Sequence, residues 1–167
     1  MTAMDEQTSS PAPHFLRDKA LIAGIEMLFY AYRDFTGDPD ETLRGYGFGR
    51  AHHRVVHFVA RNPGISVTEL LAILKITKQS LSRVLSQLVE EGFVRQEKGA
   101  RDRRRRLLHL TGKGEALFGE LAGSQRKRVA RAYREAGPEA VEGYVKVLTG
   151  LLNEGGRAAV LASIAKD

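Results

Sequence analysis

The chain has 167 residues, no cysteine, a net charge of +6 and a pI near 9.8, with 43% hydrophobic and 28% charged residues. This is the composition of a globular protein of about one domain. It excludes disulfide staples, thiolate zinc centres and cysteine-based redox sensing, and no apolar run approaches the ~18 residues of a membrane-spanning helix.

Residues 1–14, MTAMDEQTSSPAPH, contain no basic segment followed by an apolar core. They read as a disordered tail rather than a secretory signal, and a cytoplasmic protein is expected. Residues 16–35 place Leu21, Ile25, Leu28, Tyr32 and Phe35 at helical spacing, and Ile22 and Phe29 add a second stripe. Such a helix carries more apolar surface than one small core covers, which predicts a protein partner for it. The Gly- and Pro-containing residues 37–47 predict a loop. A second helix is predicted over about 48–61, stopped by Asn62, Pro63 and Gly64.

The densest signal follows. Ser66 and Glu69 have the spacing of a capping box, which starts a short helix with Leu70, Leu71 and Leu74 on its apolar face. After a brief turn Thr77 caps another helix. There Leu81, Val84, Leu85 and Leu88 form one buried stripe at i, i+3, i+4 and i+7, and Gly92 ends the element. Two short strands around a Gly99–Asp102 turn predict a β-hairpin. Thr111 caps a helix over about 112–135. A last helix, with Val141, Tyr144, Val145, Leu148 and Leu152 along one side, runs to about Asn153, where Gly155–Gly156 break or end it.

Helix, short helix, turn, helix and hairpin in this order are the layout of a winged helix-turn-helix, whose second helix enters the DNA major groove. The fold class expected is mainly α with a small β-hairpin wing. Opposite the buried stripe, the second helix presents Lys78, Gln79, Ser82, Arg83 and Ser86, with Thr77 and Ser80 at its start and no carboxylate among them. Such a face suits phosphates and base edges: Gln can bond adenine and Arg or Lys guanine, while Ser and the helix N-terminus suit phosphate oxygens. A merely solvated face ordinarily mixes in Glu, as Glu90 and Glu91 do at the far end.

The segment Arg95–Lys113 holds eight basic residues against two acidic ones, which accounts for the whole net charge. A basic patch this local is the footprint of a polyanion partner. In a wing, the tip residues Arg101, Arg103, Arg104 and Arg105 would lie on the DNA backbone or enter the minor groove, where arginine is favoured by its weak hydration. Asp102 is out of place there unless it pairs with a neighbouring arginine and fixes its direction. If the run is strand, alternate arginines point to opposite faces, so Arg104 and Arg106 cannot both do what Arg103 and Arg105 do. A second basic cluster, Arg126 to Arg134, reads mostly as solvated surface spread around a helix.

The stretch DRRRRLLHLTGKG, with Asp102 and Arg104 on the two fixed positions of a D-x-R wing signature, resembles the MarR family of bacterial regulators, and the order of elements over about 16–153 agrees. Beside the tail at 1–14, the resemblance implies dimerisation helices at 15–36 and 112–165 and a winged helix-turn-helix DNA-binding domain at 48–111. It implies that residues 77–86 are the recognition helix, Arg104 the minor-groove arginine and Asp102 its orienting partner. It also implies a homodimer on a pseudo-palindromic double-stranded DNA operator. Members are usually repressors released by a small ligand, and peroxide sensing through cysteine is closed to this chain.

Nothing in the sequence names an effector. His53 and His57 are spaced i, i+4, which can serve zinc, but two histidines leave such a site incomplete. They read as structural, or with Phe29 and Tyr32 as the wall of an effector pocket, or as a pH-responsive pair. No metal, cofactor or membrane is expected. The alternative function is an RNA- or ribosome-associated winged-helix protein. An enzyme built on His52, His53 and His57 lacks a nucleophile–base signature, a phosphate loop and a complete metal motif.

Overall fold

The structure, a computed structural model, describes residues 13–166. Most of the expected tail, residues 1–12, lies outside them. His14 does not belong to a tail, because it opens a short 3-10 turn, His14–Leu16, that leads into the first helix. Seven helices and three strands follow in the order α1 (Asp18–Arg44), α2 (Arg50–Arg61), β1 (Ile65–Ser66), α3 (Val67–Leu74), α4 (Lys78–Glu90), β2 (Val94–Lys98), β3 (Arg106–Leu110), α5 (Gly112–Ala136), α6 (Pro138–Leu151) and α7 (Glu154–Ile164).

The caps read from the sequence form. Ser66 Oγ accepts from the Glu69 N–H while the Glu69 carboxylate accepts from the Ser66 N–H at 2.8 Å. Thr77 accepts from the Ser80 N–H at 3.1 Å, and Thr111 from the Gly114 N–H at 3.1 Å. Gly92, at φ 78°, carries the chain out of α4 into β2. The stripe Leu81, Val84, Leu85 and Leu88 is buried, and it packs with Val55, Val56, Val59, Leu70, Phe93, Leu108, Leu117 and Leu121 into one core.

Four expectations are corrected. Residues 37–44 are not a loop, because α1 continues through Pro39. A proline there forfeits a helical hydrogen bond and crowds the preceding turn. The helix persists because Thr36, Pro39 and Leu43 are buried, and because Thr42 and Asp38 bond Glu120 and Arg128 of α5. Second, the sheet is not a bare hairpin. Ile65 and Ser66 add a third strand, in the order β1-β3-β2, with Ile65 opposite Leu108 and Val94 opposite Leu110. Third, Gly155 and Gly156 do not end the chain's helices. They lie in the first turn of α7, where the bend from α6 is held by Arg157 donating to the Leu152 carbonyl at 3.1 Å. Fourth, only Arg106 of the arginine run is strand. Arg103 and Arg104 occupy a turn, so the strand-alternation argument does not govern them.

The sheet meets α5 closely. A Cβ on Gly114 would stand 2.1 Å from the Phe93 carbonyl oxygen, so only glycine fits there. Most of α1 before Thr36 contributes nothing to this core. Leu21, Ile22, Ile25, Met27, Leu28, Phe29, Tyr30 and Tyr32 are all exposed, as are Tyr144, Val145, Val147, Leu151, Leu161 and Ile164 on α6 and α7. Among the described residues no helix is long and apolar enough to cross a membrane.

Candidate nucleic-acid interface

The buried stripe of α4 fixes which face it turns outward. Lys78, Gln79, Ser82, Arg83 and Ser86 together line a shallow surface depression, and all are exposed. Among the described residues neither Lys78 nor Arg83 has a carboxylate partner, so their charge and hydrogen-bond capacity are available to an incoming ligand. Ser80 differs, since its hydroxyl accepts from Thr77 Oγ1 at 2.8 Å within the cap.

The neighbouring helices anchor α4. His52 of α2 stacks on Phe48, with ring centroids 4.6 Å apart. Its Nδ1 accepts from the Gly49 N–H at 3.1 Å, which leaves Nε2–H to donate to Gln87 Oε1 of α4 at 2.8 Å. This tie between residues 35 apart left no local signal in the sequence.

The wing tip is a built loop. The Gly99 N–H donates to the Arg105 carbonyl at 3.0 Å and the Arg105 N–H to the Asp102 carbonyl at 3.1 Å. A Cβ on Gly99 would stand 2.7 Å from that Asp102 oxygen, so the loop closes over a bare glycine. Among the described residues Asp102 does not pair with an arginine side chain. Its Oδ1 accepts from the Arg104 backbone N–H at 2.9 Å, which caps the turn and fixes the main chain at Arg104.

The arginines are not equivalent. Arg105 reaches the Glu69 carboxylate at 3.4 Å. The hydrogen bonds from Ser66, with the Arg105 charge beside them, hold the Glu69 carboxyl below its usual range. Arg95 pairs with Glu97, which also lies 3.5 Å from His109. Arg101, Arg103 and Arg104 are exposed and, among the described residues, have no carboxylate partner.

The four residues expected to wall an effector pocket are not gathered into one. Phe29 is 69% exposed and Tyr32 51% exposed on the outer surface of α1. Tyr32 lies under the Arg50 guanidinium, which bonds Asp40 at 2.9 Å. His53 and His57 are part-buried on α2, and His57 packs edge-on against Phe118 of α5. Burial pushes both imidazole pKa values down; His57 further lowers His53, whereas Asp40 opposes the shift, and Arg61 lowers His57. Among the described residues no carboxylate or third histidine joins them in a metal-holding cluster.

The basic cluster on α5 does not spread evenly. Lys127, Arg128, Arg131 and Arg134 line one groove beside Asp38 of α1.

A family model described as the MarR family matches residues 46–105. The chain is 51% identical over 139 residues to the HTH-type transcriptional regulator PetP of Rhodobacter capsulatus, covering 83% of this chain and 84% of that protein. It is 34% identical over 69 residues to the transcriptional regulator HosA of Escherichia coli O157:H7, covering 41% of this chain and 51% of that one. Among solved structures, Streptococcus pneumoniae FabT in complex with DNA is similar in fold at a TM-score of 0.71 and 19% identity, covering 78% of this chain and 94% of FabT. The transcriptional regulator SlyA is similar at a TM-score of 0.63 and 16% identity, covering 78% and 90%.

Proposed function

The chain belongs to the MarR family and is a DNA-binding transcriptional regulator, not an enzyme, and from that premise we propose that it acts as a homodimeric repressor on a pseudo-palindromic operator and is released by a small ligand. One observation carries the DNA half of this reading. The exposed face of α4 offers Lys78, Gln79, Ser82, Arg83 and Ser86 with no carboxylate, while the wing holds Arg101, Arg103 and Arg104 unpaired among the described residues. Gln79 and Arg83 have the donors and acceptors to read base edges, and Thr77, Ser82 and Ser86 suit phosphate oxygens. Arg104, whose main chain Asp102 fixes, is the arginine assigned to the minor groove.

The dimer half rests on the exposed apolar residues of α1, α6 and α7, which a soluble chain does not leave against water without a partner. In this assignment 15–36 and 112–165 form the dimerisation part and 48–111 the DNA-binding part. The fold similarity to a regulator solved in complex with DNA supports DNA as the partner.

The test is a salt series of the purified chain on its own upstream intergenic DNA, with duplex RNA of matched length beside it and light scattering to give the mass. The expected result is one pseudo-palindromic site bound by a dimer, with affinity falling by a log–log slope of about −0.9 per phosphate neutralised. Equal binding to RNA would overturn the reading, because the A-form major groove admits no helix. A flat salt response would do the same for the role given to the arginines.

A further inference from the structure

We propose that His52 is a positioning residue for DNA recognition, fixing the roll of α4 through a hydrogen-bond chain that runs from the Gly49 backbone to the Glu91 carboxylate. The inference rests on the assignment of α4 as the recognition helix. Three bonds make the chain. The Gly49 N–H, just before α2, donates to His52 Nδ1 at 3.1 Å, His52 Nε2–H donates to Gln87 Oε1 at 2.8 Å, and Gln87 Nε2–H donates to Glu91 Oε1 at 2.9 Å. Its two ends admit only one order of protons, because a backbone N–H only donates and an ionised carboxylate only accepts. Gln87 therefore turns its NH2 to Glu91 and its oxygen to His52, and the imidazole is neutral with its proton on Nε2. Worked from either end, the chain gives the same His52–Gln87 bond, so each side chain has a single orientation.

The imidazole is packed as well as bonded. It lies on Phe48 with the ring planes 8° apart, and Phe48 meets the buried Phe93 edge-on at 5.2 Å. The far end is anchored too. Lys113 Nζ, 4.2 Å over the Phe93 ring, donates to the Glu91 carbonyl at 2.9 Å. The need for such a tie follows from how α4 is buried. Leu81, Val84, Leu85 and Leu88 hold the helix to the core, but apolar contact is non-directional and lets a helix roll at little cost. Hydrogen bonds weaken steeply away from their line, and base edges are read by bonds of that kind. Phosphates attract by charge from many directions. Base reading by Gln79 and Arg83 therefore depends on the roll of α4, whereas the sequence-independent grip on DNA does not.

The test compares the affinity of the full chain for its selected operator with that for a scrambled duplex of equal length, at one salt concentration and well below the thermal transition. Methionine and glutamine are alike in length, so His52→Met removes both the donor and the acceptor while His52→Gln supplies one of each. His52→Met should lower the ratio of the two affinities at least about fivefold. Gln87→Met should do the same, the double variant should lose no more than either alone, and His52→Gln should recover most of the ratio. Misfolding removes binding to both duplexes alike and leaves the ratio unmoved. The proposal is overturned if His52→Met or Gln87→Met keeps the native ratio, if their losses add, or if His52→Gln does no better than His52→Met. Gln87→Met alone decides if His52→Met does not fold. A native chain that prefers neither duplex fails the recognition-helix reading and this inference with it. A native chain that discriminates, with variants that match it, fails this inference alone.

Discussion

Arg105 of the wing and Glu69 of α3 meet at 3.4 Å, and the same Glu69 oxygen accepts from both the N–H and the hydroxyl of Ser66. The wing is thereby tied to the start of the helix-turn-helix by a side chain from the arginine run. Both partners are more than half exposed, so the pair itself is worth little. Its consequence is directional: Arg105 is turned towards the protein, and Arg103 and Arg104 are left at the tip.

The first prediction separates those roles. Arg104→Ala should weaken DNA binding most on sites with A·T-rich flanks, because a narrow minor groove concentrates negative potential. Arg105→Gln should weaken binding less and equally on all flanks. Competition binding on two flank compositions decides it, and reversed sensitivities would place Arg105, not Arg104, in the groove.

Base reading is assigned to Gln79 and Arg83. Alanine at either should cost about 1–3 kcal/mol on the preferred site and relax preference at one position. Selection from a randomised operator would reveal this. An unchanged consensus would reduce both to backbone contacts. Thr77→Ala should act otherwise, removing the cap on α4 at a cost of about 1 kcal/mol of stability.

Two glycines of α5 should behave oppositely. Gly114→Ala forces a Cβ against the Phe93 carbonyl and should destabilise the fold by about 2 kcal/mol or more, as overpacking does. Gly123→Ala meets open space and should stabilise the helix by about 0.5–1 kcal/mol. Urea titrations of both variants check the pair, and equal effects would contradict the described contact between α5 and the sheet.

The fold should weaken in mild acid through α2. His53 and His57 have folded pKa values lowered below the ordinary 6.5 by burial. The unfolded chain therefore takes up protons first as the pH falls, and the native state loses ground below about 6.5. Their contribution is complete above that value. Glu69, lowered from 4.5, adds a further loss at more acidic pH. Denaturation midpoints between pH 7.5 and 5 should fall in the native chain and fall less in His57→Phe. Parallel curves would show that the histidines do not carry the slope.

The sequence by itself determined the features that are closed within a few residues. Ser66, Thr77 and Thr111 cap helices because their bonds reach only three residues ahead, and the stripe Leu81–Leu88 buries one face because helical periodicity repeats it. The family signature around Asp102 and Arg104 is local in the same way. Tertiary structure decided what depends on distant partners. Pro39 stays helical because α5, some 80 residues away in sequence, takes up the surface beside it. The arginine run divides because Glu69 stands 36 residues before Arg105, and β1 exists only because Leu107 and Leu108 offer it an edge. The basic cluster on α5 becomes a groove only once α1 lies along it. Short-range hydrogen bonds and periodic burial are written into consecutive residues, whereas the direction of a charged side chain is set by whichever element folding brings beside it.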